Sequence, residues 1–421
     1  MFSLIWCLIG IIAGVIFGII TGAGPFLAVA TMYPLLLYAN PFDILIFYIA
    51  LIITANYTNS VTAILYGIPG DAAAVSTARY GHKLFLQGQG HLAVSNNAIS
   101  STIGSIFAIG LFLCFLPSIY SIFQFYNSTI QVIVISIAII FLILLSKEKI
   151  QSILLFIFGG ILAKIGFDDE TLTTWGTFNI DYLTLGIPFG SVMIGLYILP
   201  EIIKFKNVEI KEQNKIKKFG YKINTLPATI TGSFIGFWCG LIPGVTNILG
   251  SYLSSNIIKS DVGKIAAAES ANNSGALSSV LPLIILGIPI VGSEVLIYYL
   301  ILSQGFLFGL DTLLVFTNIL YYIPLILIIC LLLSWTYFNF LGKLAFFYKN
   351  NRNKLIYIIL IFISIMNIYN YPVKEWIIIT LILCCIIGYT INKLDTFPII
   401  YGYFLSDLFW ENLRRVGVIY G

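Results

Sequence analysis

Residues 270–289 read SANNSGALSSVLPLIILGIP. A run long enough to cross a bilayer thus carries two adjacent amides, Asn272 and Asn273, and the hydroxyls of Ser274, Ser278 and Ser279, with Pro282 in mid-run and a closing Gly287-Ile288-Pro289, and Glu269 stands just before it. Proline and Gly-Ile-Pro release backbone carbonyls from the helical ladder, and at membrane depth such backbone persists only where protein or a water-filled cavity satisfies it. Neutral side-chain oxygens beside freed carbonyls suit Na⁺, whereas amide donors and helix N-termini suit a carboxylate. Asn272, Asn273 and Ser274 are therefore the candidate Na⁺ ligands. Glu269 could coordinate a cation, pair with Lys264, or stand as a solvated charge at a helix start. The plainer alternative for the whole set is that it ties neighbouring helices together, as Ser and Asn often do in membranes.

The first half of the chain holds parallel material. Asn59 and Ser60 lie in the run Asn56 to Thr62, ahead of Gly67-Ile68-Pro69-Gly70-Asp71, and Ser95-Asn96-Asn97 follows. Asp71 could bind a cation or cap a helix. Arg79, His82 and Lys83 could attract an anion, but basic residues between apolar segments more commonly set topology. No His-Glu-x-x-His, Gly-x-Ser-x-Gly or Walker sequence is present, so hydrolase and ATPase readings lack their residues. An intramembrane aspartyl protease built on Asp71 and Asp181 would need both aspartates deep within clean spans, and neither is. The six cysteines sit in apolar runs without metal-type spacing and read as small core residues.

These residues need a membrane fold to position them. Of 421 residues 59% are hydrophobic and 10% charged, which excludes a water-soluble domain and predicts an all-α polytopic membrane protein. Apolar segments near 4–22, 26–38, 44–68, 92–116, 129–145, 150–166, 182–200, 227–242, 265–289, 295–308, 312–334, 355–371, 375–391 and 397–410 predict roughly ten to twelve crossings plus re-entrant pieces. The apolar N-terminus lacks a basic flank and exceeds a signal-peptide core, so it is expected to remain as the first segment. Residues 201–222 carry seven lysines against three glutamates and are expected to be cytoplasmic. This linker separates residues 1–200 from 223–421, the two expected membrane repeats.

The repeat shows as a glycine ladder: Gly10, Gly14, Gly18 and Gly22 recur as Gly232, Gly236, Gly240 and Gly244, and Gly67-Ile68-Pro69 recurs as Gly287-Ile288-Pro289. Glycines every fourth residue lie along one helix face and admit another backbone. Lysines precede the second ladder and none the first; basic residues follow the first Gly-Ile-Pro and only Glu294 the second. Charge bias inverts between the copies, and inverted-topology repeats broken by Gly and Pro mark secondary transporters. A channel, the rival class, would need a filter ringed by several chains or repeats.

The pieces GFWCGLIPGVTNILGSYLS, AAAESANNSGALSSVLPLIILGIP, ILYGIPGDAAAVSTARYGH, GLYILPE and DLFWENLRR resemble motifs of the large permease subunit of tripartite tricarboxylate transporters (TctA-type). The resemblance spans most of the chain. It implies import of small carboxylates driven by a Na⁺ or H⁺ gradient across the cytoplasmic membrane, with a small membrane subunit and an extracytoplasmic substrate-binding protein. Its functional positions would fall on Gly67, Pro69, Gly70, Gly240, Pro243, Gly244, Glu269, Asn272, Asn273, Gly287 and Pro289. The first ladder ends Ile20-Thr21-Gly22-Ala23-Gly24, without the Pro-Gly of that pattern, and the chain is shorter than usual. A stand-alone ion-coupled carrier for another small anion is the alternative.

Overall fold

The computed structural model describes residues 2–19, 24–67, 72–123, 148–168, 172–199, 220–241, 246–306, 317–336 and 373–394, with separate positions among 129–144, at 308, and among 361–368 and 398–417. Along the chain run helices α1 (Phe2–Ile19), α2 (Gly24–Leu36), α3 (Pro41–Tyr66), α4 (Val75–Leu84), α5 (Gly90–Phe123), α6 (Lys149–Lys164), α7 (Leu226–Gly240), α8 (Thr246–Ile257), α9 (Asp261–Leu286), α10 (Gly292–Leu302), α11 (Ile323–Thr336) and α12 (Lys374–Thr390). A two-stranded antiparallel hairpin, β1 (Gly166–Asp168) and β2 (Thr173–Trp175), follows α6 and was not expected from the sequence. Most of the linker, the expected segment at 129–145 and those near 355–371 and 397–410 lie largely outside the described residues.

Two compact units divide the chain, and each draws on both sides of the linker. The first comprises residues 1–124 and 207–352, the second 125–206 and 353–421.

In the first unit, α3 and α9 are built alike. Asn40 caps α3 by accepting the Asp43 N–H (2.9 Å) and donating its own amide to Asp43 Oδ2 (2.8 Å), with Pro41 opening the helix. Ser260 caps α9, accepting the Gly263 N–H at 3.2 Å. Each helix ends at a left-handed glycine, Gly67 (φ 67°) and Gly287 (φ 66°), whose N–H returns to the carbonyl of Ala63 or Leu283 at 2.9 Å. Caps and ends are 220 positions apart. From Ile44 to Leu65 α3 is buried on every face, as befits a helix apolar all round.

The glycine ladders lie where these two helices are most closely approached. A Cβ on Gly10, Gly14 or Gly18 would meet the carbonyls of Phe47, Leu51 and Ala55 on α3; on Gly232, Gly236 or Gly240 it would meet those of Ala267, Ala271 and Gly275 on α9, the same sites 220 positions on. The α1–α3 pair and the α7–α9 pair therefore share one packing register. Between the pairs, Tyr48 Oη lies 2.9 Å from Ser293 Oγ just past the end of α9, while Ser60, farther along α3, reaches Glu269 near the start of α9. So α3 and α9 run antiparallel.

Pro282 does not break its helix as expected. The α9 helix runs through it to Leu286, and the chain turns at Gly287. A proline interrupts only the bond to the carbonyl four residues back, and here the turns on both sides are packed. After the turn Glu294, fully buried, caps the start of α10: one carboxylate oxygen accepts the N–H groups of Ile290 (2.6 Å) and Val291 (3.2 Å), the other the Ser279 hydroxyl (2.8 Å).

In the second unit, Gly159 of α6 and Gly402 provide close approach to the backbones of Ile399 and Phe156. The start of α12 is fixed by Trp376, which donates to the Gly186 carbonyl (2.7 Å) and stacks on Tyr182. The six cysteines are free thiols.

Candidate functional site

Two faces of α9 do different work. On one, Ser270, Ser274 and Ser278 donate to the carbonyls of Thr229, Ser233 and Phe237 on α7, at 2.8, 2.7 and 2.8 Å. Serines four apart meet carbonyls four apart, so the face is a clasp. Ser274, expected as a Na⁺ ligand, is thereby placed on the α7 side.

The adjoining face carries Glu269, Asn272 and Asn273, all essentially inaccessible to solvent. Glu269 was weighed as a helix-start charge because the apolar run begins near 265. The helix instead starts at Asp261, which sets Glu269 more than two turns inside. Its Oε2 accepts the Ser60 hydroxyl of α3 at 2.5 Å and its Oε1 accepts the Thr77 hydroxyl of α4. Hydroxyls from the first half of the chain thus hold a carboxylate of the second. The alternative partner, Lys264, lies with its Nζ 4.3 Å from the centre of the Tyr80 ring.

One turn beyond, Asn273 donates its amide to the Glu269 carbonyl (3.0 Å), and its Oδ1 has no partner. Asn272 accepts from Asn247 of α8 at 2.5 Å and leaves its own Nδ2 without a partner. On α3, the Ser60 hydroxyl also lies 2.8 Å from the Asn56 carbonyl, and the Asn56 Nδ2 one turn away is unpartnered as well. A buried amide atom without a partner costs about 1–3 kcal/mol, and native interiors keep few of them. Three such atoms lie on the helices that flank one buried carboxylate, which makes this the candidate site. The open Oδ1 suits a cation and the open Nδ2 groups suit an anionic oxygen.

The other expected residues fall as follows. Asn59 is buried on α3, but in the 220-position register it stands opposite Ser279, and Asn272 and Asn273 stand opposite Ile52 and Ile53. The amides of the two halves are not copies. Asn96 accepts from the Lys222 N–H (3.2 Å) and the Thr225 hydroxyl (3.0 Å), tying α5 to the end of the linker. Asn97 is fully buried with neither amide atom partnered, and the Ser101 hydroxyl one turn on is also unpartnered. Gly240 is the last described ladder position and lies against Gly275, and Gly67, Gly287 and Pro289 form the helix ends and turn. Pro69, Gly70, Pro243 and Gly244 lie outside the described residues, as does Asp71.

Sequence reasoning missed Thr77, Asn247 and the buried role of Glu294. Both stood in quoted motifs, Thr77 eight residues after the first Gly-Ile-Pro. Neither spacing reveals that both pack on α9. Ser251 of α8 marks the same junction, its hydroxyl lying 2.9 Å from the carbonyls of both Ala73 and Ala268.

Comparison with known proteins gives a consistent result. The family described as "Tripartite tricarboxylate transporter TctA family" matches residues 4–400. An uncharacterised 52.8 kDa protein of Agrobacterium vitis, from the 3′ region of ttuC′ in TAR-I, is 24% identical over 99% of this chain and 87% of its own length. An uncharacterised protein of Methanocaldococcus jannaschii is 28% identical over 61% of this chain and 62% of its own length. No solved structure matches.

Proposed function

The chain belongs to the tripartite tricarboxylate transporter TctA family, and on that premise we propose that it is an ion-coupled importer of small carboxylates whose transport site is built around Glu269. Family membership makes it a membrane transport permease and not an enzyme. The finer reading rests on one observation. A buried carboxylate of α9 is held by hydroxyls of α3 and α4, among amides with open donors and acceptors.

The reading includes two inverted repeats, 1–200 and 223–421, with the lysine linker in the cytoplasm. It is supported by the shared packing register of the α1–α3 and α7–α9 pairs and by the antiparallel course of α3 and α9. In such an arrangement the site lies between the copies, and rocking of one against the other exposes it alternately to the two sides. Asn272 and Asn56 donate to the substrate carboxylate, while Glu269 takes H⁺, or Glu269 and the Asn273 Oδ1 together take Na⁺, so that anion and cation offset one another in a low-dielectric site. A small membrane subunit and an extracytoplasmic binding protein complete the assembly in the cytoplasmic membrane.

The test is citrate and succinate uptake into proteoliposomes under Na⁺ and H⁺ gradients, with and without the two companion proteins. Asn273→Leu keeps the bulk and removes the open acceptor; it should express normally and lose most uptake, whereas Ile382→Leu, on an exposed position of α12, should not change it. Uptake by Asn273→Leu with unchanged ion dependence would show that these amides only join helices.

A further inference from the structure

Where α3 ends, the first unit opens into a cavity of about 670 Å³ lined by Gly67, Arg79, His82, Lys83 and Leu86, among others. From the sequence Arg79, His82 and Lys83 could attract an anion, although basic residues between apolar segments more commonly set topology. The structure puts all three on α4, along the cavity and against the break in α3. His82 packs its ring on Gly67 and pairs its Nδ1 with the Ile64 carbonyl at 3.1 Å, which fastens α4 to the end of α3. Lys83 bridges to Asp261 at 2.7 Å. Arg79 is exposed and, among the described residues, forms no ion pair; its guanidinium lies beside the Tyr80 ring, 5.6 Å from the centre.

The repeat supplies an internal control. In the 220-position register Arg79, His82 and Lys83 stand where the second copy has Tyr299, Leu302 and Ser303, and Gly287 is covered by the aromatic rings of Tyr298 and Phe308, stacked 4.9 Å apart. A helix end of this form is thus stable without basic residues; among the described residues no ion pair accounts for Arg79, whereas His82 and Lys83 hold α4 in place. All three also occupy one end of the unit. Lys83 meets the start of α9 at Asp261, and the linker re-enters nearby, where Lys222 bonds to Asn96 and Ala228 packs beside Gly263.

We propose that this cavity is an anion vestibule at the linker end of the transporter, in which Arg79 receives the carboxylate of a small di- or tricarboxylate passing between the Glu269 site and the cytoplasm. The proposal rests on the carrier reading above. Thr77, the hydroxyl on Glu269, and Arg79 are two residues apart on α4 and leave it in nearly opposite directions, so this one helix stands between the vestibule and the buried site. A cleft lined by one sign of charge concentrates ions of the other sign, and an arginine offers a carboxylate two parallel donors.

Leu86 lines the vestibule and is 67% exposed, which makes Leu86→Cys a reporter. The full-length variant is labelled with anionic and cationic methanethiosulfonates of similar size, and modification at position 86 is read by peptide mass spectrometry. The anionic reagent should react about tenfold faster, by electrostatic concentration. Arg79→Ala should bring the ratio of rates toward unity and Arg79→Lys should preserve it, while citrate or succinate, but not acetate, should slow labelling. A ratio near unity with Arg79 in place, or no slowing by either polycarboxylate, overturns the vestibule. Labelling needs no transport, so the two readings fail separately. Protection without uptake of any carboxylate would sink the carrier reading alone, and uptake without protection the vestibule alone.

Discussion

Glu269 concentrates most of what this molecule can do chemically into one carboxylate, and its neighbours define how it fails. Glu269→Gln keeps the shape, but its amide nitrogen can no longer accept from a hydroxyl, so either Ser60 or Thr77 must turn away. We expect folded protein with uptake reduced on the order of tenfold or more and with altered dependence on the driving ion, measured in the same proteoliposomes. Ser60→Ala should cost about 1–3 kcal/mol of stability, because it leaves a buried carboxylate oxygen short of a donor, and Ser60→Thr should recover part of it; thermal unfolding in detergent reads both. At this scale the sequence was informative about residue type and weak about partners. While Glu269 read equally well as a solvated charge at a helix start, Asn272, Asn273 and Ser60 stood out as polar groups in oily runs. The α7-facing role of Ser274 did not, because residues one position apart on a helix differ by about 100° in direction, and a linear pattern does not say which direction faces a neighbour.

At the scale of elements, α9 and its glycine-bearing partner α7 make a unit with little tolerance. A Cβ on Gly236 would come within 2.2 Å of the Ala271 carbonyl oxygen, so Gly236→Val should force the helices apart at a cost of about 1–3 kcal/mol or more. Gly110 on α5 has open space where its Cβ would be, and Gly110→Ala should be neutral or gain about 0.5–1 kcal/mol from reduced chain entropy. Melting temperatures of the two variants in one detergent compare them directly. The ladders and both helix ends were readable in advance, since the same spacing of glycines and the same Gly-Ile-Pro recur. Of the two interruptions expected in the second half, Gly287 ends the helix and Pro282 does not, because a proline within a well-packed helix loses one bond without ending it. The β1–β2 hairpin was hidden, as three-residue strands carry too little alternation to register.

For the whole molecule, the sequence established membrane residence and the transport family, while the compact units cut across the expected halves. A duplication is read along the chain, but compactness depends on which pieces of each copy pack together. The orientation of the copies has its own check. Lys211→Cys in the linker should be inaccessible to a membrane-impermeant maleimide in intact cells and reactive once the membrane is opened; labelling in intact cells would reverse the assigned topology.

The glycine ladders also have a mechanical meaning. Each helix pair is fastened along its length at backbone distance, so it resembles a stiff beam, whereas the α3–α9 and α3–α10 joints include a few hydroxyl contacts that can exchange partners. A machine assembled this way yields at its joints before its beams bend. A short reversible tether between Tyr48→Cys and Ser293→Cys, whose native side chains meet at 2.9 Å, should therefore stall the transport cycle, and reduction should restart it relative to the untethered double variant, which itself carries the cavity left by the buried Tyr48 ring.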